Sequence, residues 1–330
     1  MVSRILIAIP TLNEIDHIAS VISALLPFAR AQDATVIVAD GGSTDGTCAI
    51  VEKMAQETPQ IVLLHNPDRL QAAAVNLAVE RFGDEAEWLI RVDAHSAYPS
   101  DFCETLMNEA IDTGADSVVV RMHAEGVSPL QTQIARAQNS RFGNGGSAHR
   151  GAGEGRWVTH GHHALFRLNA FRSVGGYNTT FSHNEDAELD HRLIRAGFKI
   201  WLTARTFVRY FPRKSLRDLA SQYFRFGKGR ARTLALHRER PAMRQAIVAA
   251  LAPALALVVL APLHPIFALP AIVWLLGCAV AGLAIAIQTK RLANLTAGPI
   301  AGIMHLAWSA GFWAQILGNS IPTICRGVPE

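Results

Sequence analysis

From Arg4 onward, short apolar runs alternate with stretches whose apolar positions recur at helical spacing. Arg4–Ile9, Thr35–Ala39, Ile61–Leu64, Trp88–Val92 and Ser117–Val120 read as strands, and Ile15–Ala29, Thr47–Gln56, Leu70–Arg81 and Asp101–Thr113 as helices. Strands separated by helices of this length are βαβ units of a parallel sheet covered on both faces. Such sheets bind ligands outside the carboxyl ends of their strands, so the residues after each strand matter most. There the chain carries Pro10-Thr11-Leu12-Asn13-Glu14, then Asp40-Gly41-Gly42-Ser43-Thr44-Asp45-Gly46-Thr47, then Asp93-Ala94-His95. The first turn holds neither GxGxxG nor GxxxxGK[ST], which argues against a dinucleotide fold and a P-loop.

The pattern changes near residue 240. Ala246 to Leu263 carry no charge over 18 positions and Pro265 to Ile287 none over 23, each long enough to cross a hydrocarbon core of roughly 30 Å. Arg238, Arg240 and Arg244 precede the first run and Lys290 and Arg291 follow the second, so both ends of this hairpin are expected on the cytosolic side. A third run, Pro299 to Leu317, is interrupted by His305, Ser309 and Gln315. It either spans, leaving the C-terminus outside, or lies in the interface with Trp308 and Trp313 at headgroup level. Buried helices of a soluble protein are the alternative, and fit the basic flanks less well.

Charge follows the same division. Residues 1–204 hold 16 Lys/Arg against 24 Asp/Glu, whereas residues 205–244 hold 12 against 2. A basic belt beside an apolar tail is a membrane signature, and the acidic remainder argues against a nucleic-acid partner. Cys48, Cys103, Cys278 and Cys325 form no CxxC pair and no zinc-ligand spacing, which fits a reducing compartment. The apolar stretch Ile5–Ile9 is stopped by Pro10 and is too short for a signal peptide, so the N-terminal part is expected in the cytosol, beneath the inner membrane.

Seven short motifs in fixed order then give a resemblance: PTLNE at 10–14, VADGGSTDGT at 38–47, Arg69 leading through AAAVN to Asn76, RVDAH at 91–95, GHHALFR at 161–167, NEDAELDHRL at 184–193 and QYFRFGKGR at 222–230. Together they resemble the inverting nucleotide-sugar transferases of glycosyltransferase family 2, most closely the succinoglycan-type exopolysaccharide glucosyltransferases. The resemblance implies a GT-A fold, α/β with a mixed, mostly parallel sheet flanked by helices. A cytosolic glycosyltransferase domain at 1–240 would precede a membrane domain at 241–330 with two or three transmembrane helices (246–263, 265–287 and, for the third, 299–318).

Transfer from a nucleoside diphosphate sugar expels a diphosphate, whose charge a hard divalent ion held by few protein oxygens can neutralise. Asp93 is placed for this role. The family usually shows DxD, and here His95 takes the third position, as a Mg²⁺ or Mn²⁺ ligand, a phosphate contact or a polar loop residue. By resemblance Asp40 bonds the uracil or ribose of a UDP-sugar, and Pro10, Thr11 and Glu14 frame the base. Turn chemistry is the other reading of Asp40 and Asp45. Arg69 is either a phosphate contact near a helix N-terminus or a solvated surface residue.

The acceptor hydroxyl needs a base, and by resemblance Asp186 is that base, with Glu185 its competitor at the start of a helix whose apolar stripe is Ala187, Leu189, Leu193 and Ile194. Tyr177 and the run 161–167 are expected to line the substrate side. Arg225 stands in a QxxRW-like motif in which Phe226 replaces Trp, and is either a diphosphate clamp or one of the cations facing anionic lipid. The glycine-rich stretch 143–157 reads as a lid or a plain mobile loop.

The expected function is therefore a membrane-anchored, metal-dependent inverting hexosyltransferase. It would move glucose from UDP-glucose onto a polyprenyl-diphosphate-linked sugar in exopolysaccharide biosynthesis. The alternatives are a polyprenyl-phosphate glycosyltransferase, a non-catalytic membrane scaffold that binds nucleotide sugars, and a small transporter subunit.

Overall fold

A computed structural model of the chain describes residues 4–147, 150 and 153–320. Cys325 and four residues of the glycine-rich stretch, at 148, 149, 151 and 152, lie outside these. The chain divides into two compact units, residues 1–125 with 146–211, and residues 126–145 with 212–330. The expected boundary at 240 follows the break in charge, whereas the units follow packing, which places the basic helix 216–237 in the second unit.

The first unit is built on an eight-stranded sheet: β1 (Arg4–Thr11), β2 (Thr35–Asp40), β3 (Ile61–His65), β4 (Ala86–Arg91), β5 (Ser117–Ala124), β6 (Arg156–Val158), β7 (His162–Arg167) and β8 (Ile200–Tyr210), in the order β3-β2-β1-β4-β7-β5-β8-β6. β1, β2, β3 and β4 pair in parallel, as do β5 and β8. β7 enters antiparallel between β4 and β5, and β6 pairs antiparallel with β8. Strand order reverses between β1 and β4, where a doubly wound sheet opens its crevice.

Alternation along β1 divides the core. Ile5, Ile7 and Ile9 face one apolar cluster, and Leu6 and Ala8 face the other. The first cluster takes Val21, Ile22 and Leu25 of α1 (Ile18–Ala31), Val51 of α2 (Thr47–Glu57) and Leu106 of α4 (Phe102–Thr113). The second takes Val75 of α3 (Gln71–Phe82) and Leu189 and Leu193, which belong to the later helix 185–195. α1 starts at Ile18 rather than the expected Ile15 because the amides of Glu14 and Ile15 are held elsewhere, by Thr47 Oγ1 and Asp45 Oδ2.

The second unit is helical among the described residues. α5 (Pro129–Asn139) opens on a capping box between Ser128 and Gln131 and runs into the short α6 (Arg141–Asn144). In the first unit α7 (Leu168–Ser173) and α8 (Glu185–Arg195) follow. The chain then returns to the second unit through α9 (Leu216–His237), α10 (Met243–Ala249), α11 (Leu251–Ala256), α12 (Leu269–Thr289) and α13 (Ala297–Ser320).

Three segments are long and apolar enough to cross a membrane: Met243–Leu260, Pro265–Thr289 and Leu292–Gly318. The first is not one continuous α-helix. Pro253 has no N–H to give the carbonyl of Ala249, and that carbonyl instead accepts from Ser309 Oγ at 2.8 Å and Trp313 Nε1 at 2.7 Å. The Ser309 hydroxyl in turn accepts from the Ala252 amide at 2.9 Å. The indole N–H of Trp313 is therefore used inside the helical unit.

Candidate active site

Two carboxylate clusters form at the carboxyl end of the sheet. In the first, the loops after β1 and β2 are joined through side chains. Asn13 N donates to Ser43 Oγ at 2.7 Å, Thr44 N to Asn13 Oδ1 at 2.9 Å, and Glu14 N to Thr47 Oγ1 at 2.9 Å. Asp40, buried at the end of β2, accepts from the amides of Gly42 at 2.7 Å and Ser43 at 2.9 Å through Oδ2 and from the Ser43 hydroxyl through Oδ1. Burial works against its charge, but the bonds from Ser43, Cys48 and Gly42 outweigh burial and hold the carboxyl below its ordinary value. Asp45 accepts from Thr47 N and Ile15 N, so turn chemistry is present at both aspartates.

Pro10 and Thr11 close β1 beside this loop, and Thr11 O accepts from Gly41 N at 2.9 Å. Arg69, with φ 57°, passes alongside: a Cβ on Gly41 would meet Arg69 Cα at 3.3 Å, so the glycine permits the approach. Glu14 Oε1 meets His95 Nδ1 at 3.1 Å, with the His95 side chain 52% exposed. The structure thus joins a residue expected to frame the base to one expected to bind metal.

The second cluster is centred on Arg91, at the end of β4, whose side chain is 4% exposed. Its Nη1 pairs with Asp186 Oδ1 and donates to Tyr177 Oη at 3.0 Å; its Nη2 lies 3.2 Å from Asp93 Oδ1 and 3.9 Å from Glu185 Oε1. Asp93 also accepts from Gln71 Nε2 at 2.8 Å, and its Oδ2 lies 3.3 Å from His162 Nε2. The other nitrogen of His162 faces Asp186 Oδ2 at 3.7 Å. Arg91 and His162 therefore bridge Asp93 and Asp186; His162 lies in the run 161–167 expected to line the substrate, whereas Arg91 was given no role of its own.

Electrostatics separates the carboxylates. Burial would raise Asp93, but the charge of Arg91 and the bond from His162 hold it far below the ordinary carboxylate range. Burial first and the charge of Asp186 second push Glu185 up, against the pull of Arg91. Glu185 therefore keeps its proton to higher pH than an ordinary glutamate, whereas Asp186 meets Arg91 in an ion pair, an interaction of the charged form.

Several bonds position this cluster. Asn76 clasps the backbone of Tyr177, accepting from its amide at 2.9 Å and donating to its carbonyl at 2.7 Å. Gly176 sits at φ 66° and a Cβ there would lie 2.6 Å from Asn76 Oδ1, so glycine is required. Arg192 of α8 pairs with Glu188 and donates to the carbonyls of Val174 and Gly176, fixing the same turn. Asp190, fully buried, holds His160 Nδ1 at 2.7 Å and Gly161 N at 3.2 Å, which sets the entry to β7 and hence His162.

Arg225 stands exposed on α9, in the second unit. Among the described residues no group of three or more His, Cys, Asp or Glu side chains can hold a metal alone. Hard divalent ions also bind through one or two carboxylates plus substrate phosphates, and Asp93 offers one such carboxylate at this edge.

The profile described as Glycosyl transferase family 2 matches residues 6–175, and that of Glycosyl transferase family group 2 matches residues 92–288. The succinoglycan biosynthesis protein ExoA of Rhizobium meliloti (strain 1021) is 48% identical over 312 residues, 94% of each chain. The mannosyltransferase PcManGT from Pyrobaculum calidifontis, solved with GDP-Man and Mn²⁺, superposes with a TM-score of 0.59 at 19% identity, over 90% of this chain and 86% of that one. GalNAc-T7, solved with UDP, GalNAc and Mn²⁺, gives 0.50 at 12% identity, over 68% and 47%. At these identities the two solved structures show a common fold.

Proposed function

The chain belongs to glycosyl transferase family 2, and from that premise we propose that it moves a hexose, glucose from UDP-glucose, onto a polyprenyl-diphosphate-linked sugar with inversion. It is a membrane-associated glycosyltransferase related to the succinoglycan machinery of exopolysaccharide biosynthesis. The observation that carries the mechanistic reading is the Arg91 cluster, in which a buried guanidinium pairs with Asp186 and also faces Asp93 and Glu185.

In the proposed reaction the acceptor oxygen bonds to the anomeric carbon on the face opposite the diphosphate. The bond from that carbon to the diphosphate oxygen breaks with its electron pair, and the acceptor proton passes to Asp186. Arg91, Tyr177 and His162 hold the Asp186 carboxylate in place. The loop of Asp40, with Pro10, Thr11, Glu14 and Arg69, receives the nucleotide. Asp93 and His95 would hold Mg²⁺ or Mn²⁺, which supplies charge neutralisation for the departing diphosphate. The catalytic unit works at the cytosolic face of the inner membrane, a reading supported by the basic flanks of the hairpin.

The test is to incubate purified protein with bacterial membranes, a panel of radiolabelled nucleotide sugars and Mg²⁺ or Mn²⁺, and then extract lipid. Label entering lipid from UDP-glucose, and lost in Asp186→Asn, supports the proposal. Donor binding without transfer, in membranes known to contain the acceptor, overturns it. Label formed on polyprenyl phosphate alone identifies the lipid-phosphate acceptor instead.

A further inference from the structure

Beyond the Arg91 cluster the sheet continues through β5 and β8 to β6, and β5 carries a cation that the proposed reaction leaves unused. Val118 and Val120 face the apolar cluster of α1 and α4, whereas Val119 faces that of Leu189 and Leu193 in α8. Arg121, two residues after Val119, therefore projects on the face of α8, the helix that opens with Glu185 and Asp186. Val120 pairs across the ladder with His162, the histidine that meets Asp186 at 3.7 Å. The Cα of Arg121 thus stands roughly 6 Å from that of His162, one strand over and one residue further along.

The backbone around Arg121 is shaped to present it. Leu202 lies opposite Val119 and Phe207 opposite Arg121, so β8 bulges here and leaves Phe207 40% exposed beside the arginine in the ladder. Gly153 turns its carbonyl to Arg121 Nη2 at a φ of 135°, a conformation that other residues rarely adopt, and Glu154 O accepts from the same nitrogen at 3.2 Å. One nitrogen serves both carbonyls. Arg121 Nε is buried with no partner among the described residues.

Arg156 adds a second cation. It lies opposite Leu202, which belongs to the α8 cluster, so its exposed side chain leaves the same face of the sheet. Burial first and the charge of Arg156 second work against the Arg121 cation. Among the described residues no carboxylate lies within ion-pair distance of either guanidinium, and Glu154 gives Arg121 its carbonyl alone. An arginine that only fastened a loop would gain nothing from a second cation beside it. Two guanidinium groups with a donor left over instead match the oxygens of a phosphate or diphosphate, which they bind in bidentate fashion.

Position along the sheet decides which phosphate this is. The loop of Asp40, which receives the nucleotide in the proposed function, lies at β1 and β2, and β4 and β7 separate it from β5. Arg121 and Arg156 stand on the other side of Asp186, where an acceptor would approach to bring its hydroxyl to the base. We propose that Arg121 and Arg156 bind the diphosphate that joins the acceptor sugar to its lipid, and so hold the acceptor hydroxyl toward Asp186. The proposal rests on the transfer reading above and adds to it a site for the acceptor.

The test measures binding of radiolabelled inorganic diphosphate to the full chain with UDP at saturation, so that the donor side is filled. The parent is expected to show a saturable diphosphate site, weakened about tenfold in Arg121→Met and about threefold in Arg156→Met, with UDP affinity retained in both. Arg156 is exposed, so its variant carries the test should Arg121→Met fail to fold. Equal diphosphate affinity in parent and variants, or no such site in the parent, overturns the proposal. A matching loss of UDP affinity also overturns it, because the arginines would then serve the donor's diphosphate. The readout needs no hexose transfer: absence of the site with UDP-glucose transfer intact breaks this proposal alone, and diphosphate binding without transfer breaks only the proposed function.

Discussion

The carboxylates at the sheet edge come in two kinds. Asp40 and Asp45 are satisfied by amides and hydroxyls of their own loop or of the loop beside it. Asp93, Glu185 and Asp186 face side chains from β4, α3 and β7, with one buried guanidinium at the centre that also bonds Tyr177. The first arrangement is local turn chemistry that shapes a rigid cradle. The second exists only when the sheet is assembled, and its groups depend on each other for their charge states. Cradle and charge cluster should therefore fail in different ways when broken.

The largest effect is expected at the charge cluster. Asp186→Asn should lower the transfer rate by about 10³-fold, the scale of a lost general base, with donor affinity retained in an equilibrium binding assay. Arg91→Met comes next: breaking a buried ion pair from one side leaves Asp93 and Asp186 uncompensated, at a cost of about 3 kcal/mol in a denaturation measurement, with transfer reduced as well. Arg91→Lys should recover part of the stability but little of the geometry, since an ammonium cannot reach as many partners at once.

Asp40 and Glu185 should also respond to pH with opposite sign. Asp40 is lowered from 3.8, so the stability it contributes is present above that value and lost as pH falls below it. Asp40→Asn should cost about 2 kcal/mol at neutral pH through its charged hydrogen bonds, with the gap to the parent closing in acid. Glu185 is raised from 4.5, so its contribution is present below that value and lost as pH rises through the folded value. Glu185→Gln should therefore match the parent in acid and exceed it in thermal stability at alkaline pH. The smallest change is expected for Asn76→Ala, which frees the turn of Tyr177 and should lower the rate more than donor affinity.

The contrast also explains what the sequence revealed. β1 to β5 were legible because each is a near-continuous apolar run bounded by a helix of ordinary length. The Asp40 loop was legible because its Asp, Gly and Ser are turn formers whose partners lie within a few residues. Asp186 was singled out by the resemblance of its motif, and the fold brings it to Arg91. Arg91 was not singled out and His162 was read only within the substrate-lining run 161–167, because the Arg91–Asp186 and His162–Asp93 contacts join residues far apart in the chain and only the fold unites them. A signal existed: Arg91 interrupts the apolar run from Trp88 to Val92, and a cation inside a central strand needs a buried anion. β7 was read as a substrate-lining run and β8 was not anticipated. β7 alternates with histidines, β8 with threonine and arginine, and β7 is antiparallel to both its neighbours.

The central claim is that the cradle holds the donor and the Arg91 cluster performs the transfer. It is tested most directly by measuring, in one membrane preparation, the UDP-glucose dissociation constant and the saturated transfer rate for Asp40→Asn and Asp186→Asn beside the parent. The account predicts weakened binding with a largely preserved saturated rate for Asp40→Asn, and preserved binding with a lost rate for Asp186→Asn. A saturated rate in Asp186→Asn equal to that of the parent would contradict it.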